Sequence, residues 1–538
     1  MFSQIIFKNK QSIDQSLSEL DLIDLLLKNR QLKKSEYDDF FKPHFPVDSD
    51  FDINKKELKK AFIRVNKAIK NNENILIYGD YDVDGLTSTA ILWQTLYQLK
   101  AKVLPFIPHR EIDGYGIKSS SFFDFEKEKK IHFDLLITVD NGIVANKELN
   151  KIIKKNTDVI IIDHHLPTEN LPKVSAIIHS TDFSGSSLSW FFANQFNKNA
   201  DIGLAAAGAV ADCVPLVGIN RNIVVHGLNS LRLKPNPGIK KLIEISAIKQ
   251  DSISAYDLAF VIGPRLNAVG RLSNPTEALR LLCSQNSLQA SKYAQNLDKF
   301  NKERQSIQKD NLKIAEENNL NNKNKLVFIA HKNFLPGIIG LIASRLTEKH
   351  YLPSIIISVG KEYSKASCRS IKELNIIKTL RSFDNNLVEL GGHSAAAGFT
   401  IKTKNIDKFR RKITNFINKE LKDINLQPSI VVEAEMKLSA VNIKNCKIIN
   451  KFEPFGIDNP KPLFLFKDIT ISQKRVIGSN NDHLKLKFDN IDAIAFRKGD
   501  LDKKLKVGDS VTFIASLDLN NWNNITSPQL IIKEIFTV

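Results

Sequence analysis

Residues Tyr78 to Gly85 read Y-G-D-Y-D-V-D-G, directly after the apolar run Ile75-Leu76-Ile77. Asp80, Asp82 and Asp84 therefore stand at alternate positions just past an expected strand. Carboxylates this close repel one another, and each loses solvation when buried, so an ionised cluster needs compensating cations. Divalent metals supply that compensation. Further on, Asp163-His164-His165 follows Val159-Ile160-Ile161-Ile162 and adds a carboxylate and two imidazoles at a second strand end. Carboxylates and imidazoles without thiolates suit Mn²⁺ or Mg²⁺, whereas thiolates would suit zinc. Together the clusters point to a multi-metal hydrolytic site, where metals stabilise attacking and leaving oxygens. The plainer reading of the first cluster is a solvated acidic turn. Neighbouring side chains on a regular strand face opposite ways. One of His164 and His165 is thus expected to ligate, and the other to contact a phosphate or donate a proton, with Asp163 orienting a ring.

From about residue 55 to 225 short apolar runs alternate with helical stretches. Strands are expected at Ile75–Tyr78, Lys102–Phe106, Leu135–Val139 and Val159–Ile162, with helices at Lys56–Lys70 and Leu86–Leu99. This alternation implies a mostly parallel sheet, and such sheets gather ligand groups at the carboxyl ends of their strands. Three acidic clusters occupy that position, the third being Asp140-Asn141-Gly142, which alone is an ordinary turn. Asp212 lies in the Ala-rich stretch Leu204–Leu216, expected as helix. A carboxylate there is costly unless paired or metal-bound.

The whole chain is read as α/β: two α/β lobes joined by a long helix, followed by a C-terminal OB-like β-barrel. The divisions are an N-terminal helical extension (1–54), a catalytic lobe (55–225), a helical connector (226–320) containing a long helix from Ser287 to Asn318, a second α/β lobe (321–427), and a strand-rich region (428–538). In that last region Ile469–Val476 reads as one strand, and the short strands suggest a small barrel. Three further features could bind phosphate. Gly391-Gly392-His393 offers flexible backbone N–H groups, and the alternative is a plain turn. Arg265 and Arg271, in G-P-R-L-N-A-V-G-R-L, and Arg369, in S-C-R-S, are candidate clamps, although a lone arginine is more often a surface ion pair.

The chain has 538 residues, too many for one core, and a hydrophobic fraction of 42% that suits a folded protein. Its net charge of +18 favours a polyanionic partner, nucleic acid first and anionic membrane second; the alternative is a Lys-rich compositional bias. No apolar run reaches the ~18 residues of a membrane span, and Met1–Gln11 lacks the apolar core of a signal peptide. Cys213, Cys283, Cys368 and Cys446 are scattered and form no CxxC pair. They suggest neither a zinc knuckle nor a disulfide framework, and a reducing cytoplasm is the expected setting. Nucleophilic Ser or Cys catalysis has no motif to support it.

In order, G-D-Y-D-V-D-G, T-V-D-N-G, I-D-H-H, A-D-C-V-P-L, G-P-R-L-N-A-V-G-R-L, P-G-I-I-G-L-I-A-S-R-L, S-C-R-S and G-G-H-S-A-A-A-G resemble the DHH phosphoesterase superfamily, specifically its single-strand-specific exonuclease branch. The resemblance covers roughly residues 55 to 400, and the strand-rich end is similar to that branch's OB module. It implies DHH and DHHA1-like lobes and a metal-dependent exonuclease that degrades single-stranded DNA from its 5′ end in repair and recombination. Two Mn²⁺ or Mg²⁺ ions would be held by Asp82, Asp84, Asp140, His164 and Asp212, with Asp80 contributing. Asp84, His164 and His165 would form the catalytic group, His165 contacting the scissile phosphate or assisting proton transfer. Ser367, Arg369 and Arg271 would hold the 5′-terminal phosphate. Arg265 and Asn267 would belong to the substrate path, and Gly392 and His393 would close the cleft. The barrel would extend the DNA path through basic and aromatic contacts.

Implied partners are single-stranded DNA, a helicase that supplies it and a single-strand-binding protein; the chain itself is expected to be monomeric and free of membranes. Two departures stand out: His179-Ser180 where Asn-Pro is common, and S-L-S-W-F-F (Ser187–Phe192) where glycines are expected. The rival readings are a DHH phosphodiesterase for short oligonucleotides or cyclic dinucleotides, and a non-catalytic DNA-binding scaffold.

Overall fold

The computed structural model describes residues 4–110, 112–114, 116–320, 322–478, 480–522 and 525–536. Its N-terminal segment, expected as a helical extension over 1–54, holds helices and also two short strands. Strands β1 (Gln4–Phe7) and β2 (Ser12–Ile13) pair in parallel with strands from the far end of the chain. The helix Glu19–Asn29 buries Leu22, Leu25, Leu26 and Leu27 in one core with Phe464, Phe466, Phe488 and Phe513. An apolar helical stripe must find an apolar partner, and this one finds it in the C-terminal module.

The first lobe is built on five parallel strands: β3 (Asn74–Tyr78), β4 (Lys102–Phe106), β5 (Leu135–Val139), β6 (Asp158–Asp163) and β7 (Ala176–His179), in the order β4-β3-β5-β6-β7. Alternate residues serve opposite faces. Ile75, Ile77, Ile137, Ile160 and Ile162 pack toward the helices Val83–Gln98, Gly185–Asn194 and Ile202–Ala211. Leu76, Tyr78, Leu136, Val159 and Ile161 pack against Phe122, Leu149 and Ile152. Burial on both faces explains the unbroken Ile/Leu/Val runs. The strand order sets the carboxyl ends of β3, β5 and β6 side by side.

The helix expected over Leu204–Leu216 stops at Ala211, and Asp212 is its C-cap. Cys213 takes a left-handed conformation (φ 62°) and turns the chain away. The connector boundary also moves. Ile239, Leu242, Leu279, Leu281, Leu282 and Leu297 belong to the first lobe's core, so that core runs well past residue 225. The long helix is continuous from Ser287 to Asn319, and Ile307, Leu312 and Ala315 on its second half pack on the next lobe.

That lobe holds β8 (Val327–His331), β9 (Ser354–Ser358), β10 (Tyr363–Arg369), β11 (Glu389–Gly392) and β12 (Ala396–Lys402), in the order β11-β12-β10-β9-β8. The C-terminal module contains β13 (Ser429–Val432), β14 (Ala434–Met436), β15 (Phe464–Thr470), β16 (Gln473–Ile477), β17 (His483–Phe488), β18 (Ile491–Ala495), β19 (Ser510–Trp522) and β20 (Ile525–Phe536). Its strands pair in the order β16-β17-β18-β20-β19-β15-β14-β2, which incorporates the N-terminal β2. The single strand expected at Ile469–Val476 is two, β15 ending at Thr470 and β16 beginning at Gln473. Among the described residues no helix is long and apolar enough to cross a membrane.

Candidate active site

The loop after β3 folds tightly because its own side chains satisfy its backbone. Asp82 caps the helix Val83–Gln98, its Oδ1 accepting the Gly85 N–H at 3.0 Å, and Asp80 Oδ1 accepts the Tyr81 N–H at 2.8 Å. Only glycine fits at position 85, since a Cβ there would stand 2.5 Å from the Asp80 backbone nitrogen. Asp84, in the first helical turn, is buried and points across the lobe. Its Oδ2 accepts the Gly185 N–H at 2.6 Å and its Oδ1 the Ser186 N–H at 3.0 Å. Asp140 follows β5 in a left-handed conformation (φ 59°), and its N–H donates to the Ile162 carbonyl at 2.9 Å. Non-glycine residues held in that region cluster at functional sites.

Asp163 ends β6 and organises the turn after it. Its Oδ1 accepts the N–H groups of His164 (2.8 Å) and His165 (3.2 Å) and lies 2.8 Å from His165 Nδ1. Its Oδ2 accepts the Ile143 N–H at 2.9 Å. So His165 is oriented by a carboxylate while His164 turns inward. His164 Nε2 lies 3.1 Å from Asp140 Oδ1 and 3.9 Å from Asp84 Oδ2, and its Nδ1 lies 3.8 Å from Asp212 Oδ2. Three donor sets result, each with ligand atoms within 4.8 Å of one another: Asp80, Asp82 and Asp140; Asp84, His164 and Asp212; and Asp140, His164 and His165.

The electrostatics call for cations. Burial first, then repulsion from Asp82, pushes the Asp80 carboxyl up to about 8. Burial, then Asp84 and Asp82, pushes Asp212 up to about 8 as well. Asp82 and Asp140 rise for the same two reasons. Asp140 Oδ1 is buried without a hydrogen-bond partner among the described residues, its 3.1 Å approach to His164 lacking the alignment of a hydrogen bond. Burial lowers His164, which favours the neutral imidazole that ligates metal. Oxygen donors, neutral imidazole, repelling carboxylates and an orphaned lone pair together fit Mn²⁺ or Mg²⁺. His165 behaves oppositely. Burial pulls it down, but the Asp163 bond and charge, with Asp212 and Asp80, outweigh burial and lift it to about 9.

Positive charge from both lobes and from the linking helix gathers beside this centre. On β10, Arg369 Nη1 donates to Ser367 Oγ (3.3 Å) and the Cys368 carbonyl (2.8 Å). Arg271 Nη1 donates to the Gly337 carbonyl at 3.0 Å, tying the helix Gly263–Leu272 to the turn before the helix Ile339–His350. Burial, then Arg110, Arg304 and Arg369, lower Arg271 to about 10. Arg110, from the turn after β4, thus acts on Arg271 together with Arg304 and Arg369, and it also lies 5.2 Å from the Tyr81 ring centroid.

Residues 74–216 match the DHH family N-terminal domain, 322–419 the DHHA1 domain and 432–534 the RecJ OB domain. The chain is 32% identical over 546 aligned residues to the single-stranded-DNA-specific exonuclease RecJ of Bacillus subtilis, a match covering 97% of this chain and 69% of that one. It belongs to the RecJ family. The RecJ fold itself is evident in the likeness to RecJ from Thermus thermophilus crystallised with Mn²⁺ (TM-score 0.83, 24% identity, 99% of this chain and 80% of that one). A second manganese-bound exonuclease RecJ structure shares 28% identity (TM-score 0.62, 71% of this chain and 99% of that one).

Within this RecJ-family framework, Asp80, Asp82, Asp84, Asp140, His164 and Asp212 come together, as do Arg271, Ser367 and Arg369. Gly392 and His393 line a cavity of about 660 Å³ together with Asn141, Asp163 and His165. Asn267 sits half-buried on the helix Gly263–Leu272. Arg265 takes a different part from the one expected. Its Nε and Nη2 both lie 3.0 Å from Asp298 Oδ1, and Nη1 donates to the Val261 carbonyl, so it braces this helix against the long one. Six residues separate it from Arg271, a rotation of about 240° on a helix, so the two cannot share a face. Sequence reading missed Arg110 and Arg304. The only signal for Arg110 was H-R-E just past the β4 strand end; Arg304 lies in a charged helical stretch with no signal at all.

Proposed function

We propose that this chain is a metal-dependent exonuclease that removes nucleotides from the 5′ end of single-stranded DNA. The observation that carries the reading is the juxtaposition of a buried carboxylate–imidazole centre with an arginine cluster drawn from both lobes and the linking helix. Asp80, Asp82, Asp84, Asp140, His164 and Asp212 would hold two Mn²⁺ or Mg²⁺ ions. When bound, such ions supply Lewis-acid stabilisation of charge developing on the phosphoryl oxygens. Arg271, Arg369, Arg110 and Ser367 would grip the 5′-terminal phosphate, which sets the polarity and places the first internucleotide linkage at the centre. His165 is cationic at neutral pH, and its Nδ1 faces Asp163. Its Nε2 would deliver the proton to the departing 3′ oxygen.

A cleft of about 800 Å³ leads from Val210 and Cys213 to Lys461 and Asp518 of the C-terminal module. Exposed Tyr256 and Phe260 flank it with ring centroids 4.8 Å apart, a surface on which unpaired bases stack. The strand would come from a helicase during repair or recombination. The test is degradation of a 5′-phosphorylated strand labelled at either end, with Mn²⁺, Mg²⁺ or EDTA, beside Asp82→Ala. Metal-dependent release from the 5′ end, lost in the variant, is the expected result. Cleavage of dinucleotides alone, or tight binding without cleavage, would overturn the proposal.

A further inference from the structure

We infer that His179 is a positioning residue that holds the backbone of His165 in place, an inference that rests on the nuclease reading above. His179 ends β7 and stands beside Asp163 in the sheet register. Its Nε2 donates to the His165 carbonyl at 2.8 Å. A carbonyl only accepts, so this ring carries its proton on Nε2. His165 is thereby held from two sides: its N–H and Nδ1 by Asp163, its carbonyl by His179.

The connection that follows His179 carries a second brace. Ser180 Oγ accepts the Asp182 N–H at 3.2 Å, and Asn220 Nδ2 donates to the Asp182 carbonyl at 2.7 Å. These bonds fix the approach to the helix Gly185–Asn194. That helix presents the Gly185 and Ser186 N–H groups to Asp84. Its first residue also presses on Asp140, where a Cβ at position 185 would stand 2.7 Å from the Asp140 Cβ. One short segment therefore registers His165 against two carboxylates of the centre. His179, from one of the two sequence departures, is what reaches the carbonyl.

The test compares wild type with His179→Phe and His179→Gln, because a Gln amide nitrogen occupies nearly the position of a histidine Nε2. In His179→Phe, kcat on a 5′-phosphorylated strand should fall by about five- to tenfold, the worth of one neutral hydrogen bond. KM and the Mn²⁺ dissociation constant, from the spin-resonance signal of free Mn²⁺, should stay within twofold. His179→Gln should recover kcat to within about twofold of wild type. The ¹⁵N resonances of the His165 ring should move in the Phe variant and return in the Gln variant, a readout independent of turnover. Unchanged kcat in His179→Phe, or a loss shared equally by KM and metal affinity, would overturn the inference. If the Phe variant does not fold, a Gln variant more than about fivefold below wild-type kcat or with displaced His165 resonances does the same. A wild-type chain inert on the strand would refute the nuclease reading, while unmoved His165 resonances would refute this one.

Discussion

Arg369→Ala should separate grip on the 5′ phosphate from every other contribution to turnover. Arg369 is half-buried, and burial together with Arg110 holds its guanidinium below its ordinary value. A charge-assisted hydrogen bond to phosphate in such a setting is worth about 1.5–3 kcal/mol. Each 1.36 kcal/mol is about tenfold in rate. Accordingly kcat/KM on a 5′-phosphorylated strand should drop roughly ten- to hundredfold. A 5′-hydroxyl strand starts lower and should lose less than about threefold, because the partner of the missing guanidinium is already gone. The same substitution removes one charge from a cluster whose members repel, the pressure that helps lower Arg271 to about 10. The thermal midpoint of the DNA-free protein should then hold or rise. Steady-state kinetics on the two strands and a melting curve suffice. Equal losses on both strands, or a fall in the midpoint, would refute the reasoning and make Arg369 a structural residue.

Other outcomes follow from the centre itself. In Asp163→Asn, His165 loses the bond and charge that raise it to about 9. The imidazolium should therefore deprotonate earlier, and the alkaline limb of the kcat profile should move to lower pH; an unmoved limb counts against His165 as the proton donor. Asp140→Asn should raise the unfolding free energy in EDTA, read from urea midpoints, by an amount on the order of 1–2 kcal/mol, because it removes a buried, repelled carboxylate. The same variant should lose the stabilisation that Mn²⁺ gives wild type. Asp80 and Asp212 sit at about 8 in the fold against 3.8 ordinarily, so the folded, metal-free chain binds more protons than the unfolded one between those values. Its stability, from urea midpoints in EDTA, should fall as pH rises from about 4 to about 8, and a rise would contradict the buried-carboxylate account. Finally, KM for a long strand should climb with salt, log KM gaining ~0.7 per phosphate contacted for each unit of log salt, and a flat response would exclude an extended basic track.

Much of the catalytic lobe was legible along the chain because its determinants are local. Ile75–Tyr78, Leu135–Val139 and Val159–Ile162 are nearly all apolar, as strands buried on both faces must be, and an Asp follows each within two residues. The spacing of Asp80, Asp82 and Asp84 sets their shared loop, and parallel-sheet chemistry sets which end of it matters. The long helix was equally readable, since periodicity and the absence of breakers are properties of neighbouring residues.

What the sequence could not show are relations between residues far apart in the chain. Arg110 and Arg304 read as ordinary charged residues until the packing of two lobes sets them beside Arg271 and Arg369. Like charges are gathered there by the cores that support each element, and their function lies in the sum. The N-terminal leucines of Glu19–Asn29 announced a buried face but not the sheet that covers it. Asp212 was visible as an odd carboxylate, but only the packing of the helix Ile202–Ala211, which it caps, brings it to His164. Arg265 and Arg271 look alike in one motif, yet helical rotation sends the first to Asp298 and the second to the cleft. By itself the sequence determined the chemistry available, through residue types and local spacing. The tertiary structure decided which of those groups meet, because burial, charge and distance between remote segments exist only once the cores have closed.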